Sequence, residues 1–145
     1  MSGEIYSSAT IGGKTATYAD NAGQLFMGKL KPDGSAEWLK FTAGDQDDDV
    51  YDDNYTWNTG LLVDKTGNMY IKGSLGKSIY FDDVHLEHTE NRYNKFIAKF
   101  DNSGSVIWIR VLAFDAEASA YAFDYNEFTL DELGNVYFGS PLNGT

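Results

Sequence analysis

Residues 96–108 read FIAKFDNSGSVIW, and this segment decides the fold. On both sides of its centre the side chains alternate with a period of two, and β-branched and aromatic residues dominate, which is typical of β-strands. The central Asp101-Asn102-Ser103-Gly104 has Asp where a type I turn favours it and Gly where the chain needs a positive φ. The segment is therefore predicted to form a β-hairpin.

The same pattern occurs 70 residues earlier, where residues 26–38 read FMGKLKPDGSAEW. A second motif also recurs: GNMY at 67–70 returns as GNVY at 134–137, and in weaker form as GEIY at 3–6. Internal repeats of this kind indicate one supersecondary unit used several times. We assign structural roles to the repeated positions Gly67, Asn68, Tyr70, Phe96, Lys99, Gly104, Trp108, Gly134, Asn135 and Tyr137.

These patterns predict a single β-repeat domain over 1–145, with repeat one at about 3–66, repeat two at about 67–133 and a partial third at 134–145. The predicted strands are 4–8, 24–30, 36–42, 58–64, 68–74, 95–101, 105–112, 127–131 and 135–140, with a lesser extended piece at 79–86. Since no segment carries a clear helical stripe, the class is predicted to be all-β with antiparallel hairpins.

Composition excludes several classes of function. The net charge is −11 and the sequence pI is about 4.3, so the chain lacks the positive charge that nucleic-acid or anionic-membrane binding requires. It has no cysteine, and therefore no disulfide framework, thiolate zinc site or cysteine nucleophile. No apolar run is long enough for a spanning helix, and the first residues do not have the pattern of a signal peptide.

The order Asp-x-x-Gly-Asn-x-Tyr, Gly-Ser, Tyr-Phe-Asp and Phe-Ile-Ala-Lys-Phe-Asp-x-x-Gly-x-x-x-Trp resembles the bacterial β-propeller repeat abbreviated SBBP. Residues 61–112 carry the full pattern, and 24–64 and 127–140 carry most of another. The resemblance implies a propeller of four-stranded blades, a secreted or cell-surface location, and scaffolding or binding without shared catalytic residues.

A propeller needs at least four blades, and this chain holds about two. Repeats bury their cores against neighbouring repeats, and open sheet edges invite pairing with another chain. The partners expected are therefore copies of itself or the rest of a longer parent chain, although a compact sandwich is a third possibility. The surplus hairpin at 127–140 could fill a gap beside residues 4–6 of a neighbour, giving a ring or a filament.

The sharpest local feature is the acidic run DQDDDVYDDN at 45–54. Asp45, Asp47 and Asp49 have the alternating spacing of calcium loops, so they are the candidate Ca²⁺ ligands. The glycine and the distal Glu of an EF-hand are missing, and a solvated acidic loop is the alternative. No other cofactor is expected.

Three aromatic residues in or near the acidic run, Tyr51, Tyr55 and Trp57, could stack on a sugar ring. The alternative is that Trp57 packs between blades and that Tyr51 and Tyr55 line the loop. His85 and His88 are expected to point to opposite faces of one extended segment and not to chelate a metal together. The repeated Lys29 and Lys99 are expected on the outward face of their strands.

These observations favour a non-catalytic, extracellular β-propeller-repeat module that acts in assembly or adhesion through its exposed strand edges and faces. The alternative is a lectin-like module that binds glycans and is completed by oligomerisation, with calcium in support. With two His and no Cys, no nucleophilic machinery is evident, and we predict that the chain is not an enzyme.

Overall fold

The computed structural model describes residues 1–5, 9–16, 24–42, 57–74, 78–87, 95–112 and 128–139. This part of the chain contains strands and turns and no helix, and so no helix that could span a membrane. The predicted all-β class with antiparallel hairpins is confirmed. The strands are β1 Ser2–Ile5, β2 Ala9–Ile11, β3 Lys14–Ala16, β4 Gln24–Leu30, β5 Ala36–Phe41, β6 Trp57–Val63, β7 Met69–Ser74, β8 Ser78–Phe81, β9 Val84–Glu87, β10 Lys95–Phe100, β11 Val106–Leu112, β12 Phe128–Leu130 and β13 Val136–Phe138.

The strands of the described ranges form two larger sheets and three hairpins, and each of these pairings is antiparallel. One sheet has four strands in the order β6-β7-β10-β11, and the other has three in the order β1-β4-β5. The small hairpin β2–β3 follows β1, which pairs with β4, and the small hairpin β8–β9 follows β7, which pairs with β10. The hairpin β12–β13 is separate from both larger sheets. The larger sheet is thus an up-and-down meander with one hairpin inserted in it.

The pairing registers reveal one constant offset of 70 residues between the two sheets. Gly3 lies opposite Phe26 in β1–β4, and Gly73 lies opposite Phe96 in β7–β10. Strand β1 therefore corresponds to residues 72–75, and the match of GEIY at 3–6 with GNMY at 67–70 is wrong. The register of a strand is set by its pairing with the neighbouring strand. A four-residue sequence pattern contains no information about that pairing.

Two small hairpins differ from the sequence-based expectation. The piece at 79–86 was expected to be one extended segment, but it folds back at Asp82-Asp83, and Asp82 has a φ of 51°. The corresponding hairpin β2–β3 turns at Gly12-Gly13, which lie 70 positions earlier. The Gly-Gly pair is a strong hairpin signal, whereas Asp is one of the few other residues that tolerate this backbone conformation.

The hydrophobic core joins the two larger sheets. Strand β4 of the three-stranded sheet contributes Leu25 and Met27, and β10 of the four-stranded sheet contributes Phe96 and Phe100 to the same buried cluster. The ring of Phe81, from hairpin β8–β9, lies 5.6 Å from that of Phe96 and 5.5 Å from that of Phe100. The inserted hairpin therefore covers one side of this core.

Candidate assembly surface

Four glycine turns share one backbone geometry. In each, the glycine N–H donates to the carbonyl of the first turn residue at 2.9 to 3.1 Å, and the first residue's N–H donates to the carbonyl just after the glycine at 2.9 to 3.1 Å. The glycine φ lies between 81° and 85°, which is the left-handed region. This is the predicted type I turn followed by a glycine bulge, and it occurs at 31–34, 64–67, 101–104 and 131–134.

The Asp that opens the 64–67 turn is held by the residues that follow it. Its Oδ1 accepts hydrogen bonds from the Thr66 hydroxyl at 2.7 Å and from the backbone N–H groups of Thr66 and Asn68 at 2.9 Å. Its Oδ2 accepts one from the Asn68 side-chain amide at 2.9 Å. Burial by itself would raise the pKa of Asp64, but these hydrogen bonds outweigh it and hold the pKa well below its ordinary range.

The 131–134 turn repeats this network. Asp131 accepts from the backbone N–H groups of Leu133 and Asn135, from the Asn135 amide at 2.6 Å, and from the Tyr137 hydroxyl at 3.0 Å. The Asn135 side chain is the first cause of the lowered pKa of Asp131, while the Asp131 carboxylate raises the pKa of Tyr137. The motif Asp-x-x-Gly-Asn-x-Tyr is therefore one hydrogen-bonded unit.

The 101–104 turn receives a side chain from the other sheet. Trp38, on β5, donates from Nε1 to the carbonyl oxygen of Asn102 at 2.9 Å. Gly104 is buried beneath the indole, and a Cβ built there would lie 3.0 Å from the ring. Lys29 adds a hydrogen bond from Nζ to Asn102 Oδ1 at 2.8 Å. The Trp38 indole and the Lys29 ammonium group therefore both bind the same turn.

The expected outward orientation of Lys29 is therefore wrong. Lys29 lies directly opposite Trp38 in the β4–β5 register, so both side chains project from the same face of the sheet. That face meets the four-stranded sheet. Lys29 also pairs with Glu37 Oε1 at 3.1 Å, and both groups are partly exposed, so this pair adds little stability.

The second lysine–tryptophan pair occupies the corresponding place on the four-stranded sheet. Lys99 lies opposite Trp108 in the β10–β11 register. The Lys99 ammonium lies 4.8 Å from the centre of the Tyr70 ring, and the Trp108 ring meets Tyr70 edge to face at 6.2 Å. Lys99 is half-buried against Tyr70, so its predicted outward orientation is wrong as well.

The hairpin β12–β13 contacts this same face of the four-stranded sheet. The fully buried Tyr70 places its hydroxyl 3.3 Å from the carbonyl oxygen of Gly134. The Phe128 ring packs where Gly60 leaves space, 2.7 Å from a Cβ built on that glycine, and Lys72 Nζ lies 5.7 Å from its centre. The hairpin β12–β13 therefore packs on this face of the four-stranded sheet, and the three-stranded sheet packs on the opposite face.

Two lysines inside the four-stranded sheet were missed by the sequence reasoning. Lys72 and Lys95 are almost fully buried, and Lys95 donates from Nζ to Ser74 Oγ at 2.6 Å. Their burial could have been inferred from the alternation of side chains along β7 and β10. This alternation places Lys72 and Lys95 on the face opposite to that of Ile71 and Phe96. The residue type alone suggested exposure.

Most of the ligand residues predicted from the sequence lie outside the described residues, namely Asp45, Asp47, Asp49, Tyr51 and Tyr55. Trp57 begins β6 opposite Ser74, and only its backbone is described. His85 stacks on Tyr80 with ring centres 4.1 Å apart, while His88 lies outside the described part. Among the described residues, no three His, Asp or Glu side chains are grouped to hold a metal ion.

No protein-family model matches the sequence. The comparison with curated proteins and the comparison with solved structures likewise found no match.

Proposed function

We propose that the chain is a non-catalytic scaffold module whose β-sheet repeats stack on one another and on further repeats, as the blades of a propeller do. It acts in assembly or adhesion outside the cell. The observation that carries this proposal is the contact of Trp38 with the turn at 101–104. One repeat presents an indole, and the next presents a bare glycine and a carbonyl to receive it.

The packing of the two larger sheets supports stacking as the purpose of the repeat. Apolar residues Leu25 and Met27 of one sheet share a core with Phe96 of the other. An ion pair between Lys40 on β5 and Asp82 in the β8–β9 turn adds a polar contact at the rim. An apolar centre with polar contacts around it is the usual anatomy of a protein interface.

The four-stranded meander supports the blade interpretation. A propeller blade is a four-stranded antiparallel sheet, and its neighbours pack face to face around an axis. Here β6 lies near both β1 and β12, so the first strand of the complete sheet adjoins the repeats on either side. Because β1 corresponds to the end of β7, it is the contact of β6 with β12 that resembles the meeting of first strands of adjacent blades around a propeller axis.

The state of the turn carboxylates supports a non-catalytic role. Asp64, Asp101 and Asp131 each accept at least three hydrogen bonds from their own turn. Each has a pKa below its ordinary range. A general acid or base works best with a pKa near the operating pH, so these carboxylates are suited to structure.

Light scattering of the purified chain across a range of concentrations tests the proposal. We expect a particle mass that is a multiple of 16.1 kDa and that free sugars leave unchanged. A mass of one chain at every concentration would contradict assembly by this chain. Strong dissociation by a sugar would favour the lectin alternative.

A further inference from the structure

We propose that a second copy of this chain docks its turn 31–34 on Trp108, in the way that turn 101–104 docks on Trp38 within one chain. The inference rests on the proposed assembly function and names the surface that carries it. It joins one face of the four-stranded sheet to the turn between β4 and β5 in the three-stranded sheet of the next copy.

The contact within the chain defines what such docking requires. The turn must supply a glycine that leaves room for the indole, and a carbonyl at its second position, as Gly104 and Asn102 do. The receiving face must supply a tryptophan whose Nε1–H is available. The pair then buries an aromatic ring and satisfies its only donor together.

Trp108 provides the receiving side. Its register opposite Lys99 equals that of Trp38 opposite Lys29, so the two faces have the same construction. Trp108 is half-buried, and no residue of the described part accepts a hydrogen bond from its Nε1. A partly desolvated indole N–H without an acceptor loses stability, which a docked carbonyl would restore.

Turn 31–34 provides the matching side. It has the same two backbone hydrogen bonds as 101–104, and Gly34 has a φ of 82° against 83° for Gly104. Gly34 is exposed, and a Cβ built there meets nothing within 4 Å. Pro32 replaces Asn102 and keeps the carbonyl that an indole N–H needs. The two turns therefore have the same backbone geometry, but turn 101–104 is covered by an indole and turn 31–34 is exposed.

The fold directs this contact between chains. Phe96 and Phe100 of β10 share the core with the three-stranded sheet, and Lys99, which lies between them in sequence, projects to the opposite face. Trp108, paired with Lys99, therefore faces away from the sheet that holds turn 31–34. Copies must join head to tail, which yields a ring or a filament according to the rotation.

The variant Gly34→Asn tests the turn side. Asn tolerates a positive φ, and a Cβ at position 34 meets nothing within 4 Å in its own chain, but in the docked pair the Asn side chain would collide with the indole. Gly13→Asn is the matched control, since Gly13 has a φ of 81°, a Cβ built on it meets nothing within 4 Å, and it does not belong to turn 31–34. We expect Gly34→Asn to weaken self-association at least tenfold, and Gly13→Asn to leave it unchanged.

Mixing tests both sides of the contact together. Trp108→Leu keeps an apolar side chain against Tyr70 but removes the indole plane and its donor. Each variant alone is expected to be monomeric. A mixture of Gly34→Asn and Trp108→Leu chains retains one intact contact, so it should give particles of twice 16.1 kDa by light scattering.

The outcomes separate this inference from the proposed function. Wild-type chains that remain monomeric would overturn both. Gly34→Asn chains that assemble like the wild type would overturn this surface and leave assembly standing. A mixture that stays monomeric while both variants keep the wild-type circular dichroism spectrum would also overturn the surface.

Discussion

Turn glycines in this protein share a backbone conformation but differ in what lies above them. Gly104 lies under the Trp38 indole. A Cβ built on Gly134 would lie 3.0 Å from the Tyr70 hydroxyl, whereas a Cβ built on Gly13 or Gly34 would meet nothing within 4 Å. The first two positions need glycine for the turn and for the packing. The others need it for the turn alone.

A comparison of two alanine variants measures the packing contribution. We expect Gly13→Ala to cost about 1 to 2 kcal/mol, the strain of a left-handed alanine. Gly104→Ala should cost at least about 1 kcal/mol more, because its Cβ displaces Trp38 and breaks the hydrogen bond to Asn102. Urea unfolding of both variants measures the difference, and equal losses would show that the indole contributes no net stability.

The turn carboxylates make stability depend on pH. The folded-state pKa of Asp64 lies below its value in the unfolded chain, so its hydrogen bonds stabilise the fold above about pH 4 and lose this effect as the pH falls toward the folded pKa. We expect Asp64→Asn to lower the free energy of unfolding at pH 7 and to matter less at pH 3. Glu132→Gln, at an exposed turn position, is the control. An Asp64→Asn effect of the same size at both pH values would contradict this account.

The hairpin β12–β13 is the element that depends most on its neighbours. A lone two-stranded hairpin is at best marginally stable in water. This one is held by Phe128 against Gly60 and by the Tyr70 hydroxyl near Gly134. Its exposed side chains, Leu133 at 88% and Tyr137 at 55%, contribute little packing of their own. Its order is therefore supplied by the four-stranded sheet.

Removal of one hydroxyl tests this dependence. We expect Tyr70→Phe to increase amide hydrogen exchange in β12–β13 several-fold and to leave β10–β11 unchanged, because among the described residues the buried hydroxyl is hydrogen-bonded to Asp64 and to the carbonyl of Gly134. Tyr137→Phe is the matched control, since the Tyr137 hydroxyl bonds to Asp131 of its own turn. Equal exchange in the two variants would contradict a docking role for Tyr70.

Stacking by the whole molecule must overcome its charge. Each chain carries a net charge of −11, so copies repel one another at low ionic strength. The contacts that join the sheets are mainly apolar residues and hydrogen bonds, which salt affects little. Screening of the repulsion at physiological ionic strength, where the Debye length is about 8 Å, should therefore favour assembly.

Sedimentation velocity at several salt concentrations measures this balance. We expect self-association to strengthen several-fold between about 20 mM and about 200 mM NaCl, as the Debye length shortens. The Gly13→Asn chain should follow the same curve as the wild type. Association that weakens with salt would mean that ion pairs between copies dominate the contact.

The sequence by itself determined the local structure of this protein. Period-two patterns gave the main strands, and the spacing of Asp, Gly, Asn and Tyr within seven residues specified the turns, because each of these features is complete within a short segment. The hairpin β2–β3 was missed although Gly12-Gly13 signalled it, and Asp82-Asp83 carried a weaker signal.

Only the tertiary structure decided which segments meet. Packing between sheets determines the register of β1, the inward positions of Lys29 and Lys99, and the contact of Trp38 with a turn 64 residues away. A strand pattern states that one face is apolar or polar, but it does not state which other surface covers that face. That choice is made by the combined shape of side chains distant in sequence, and here it placed an indole on a glycine.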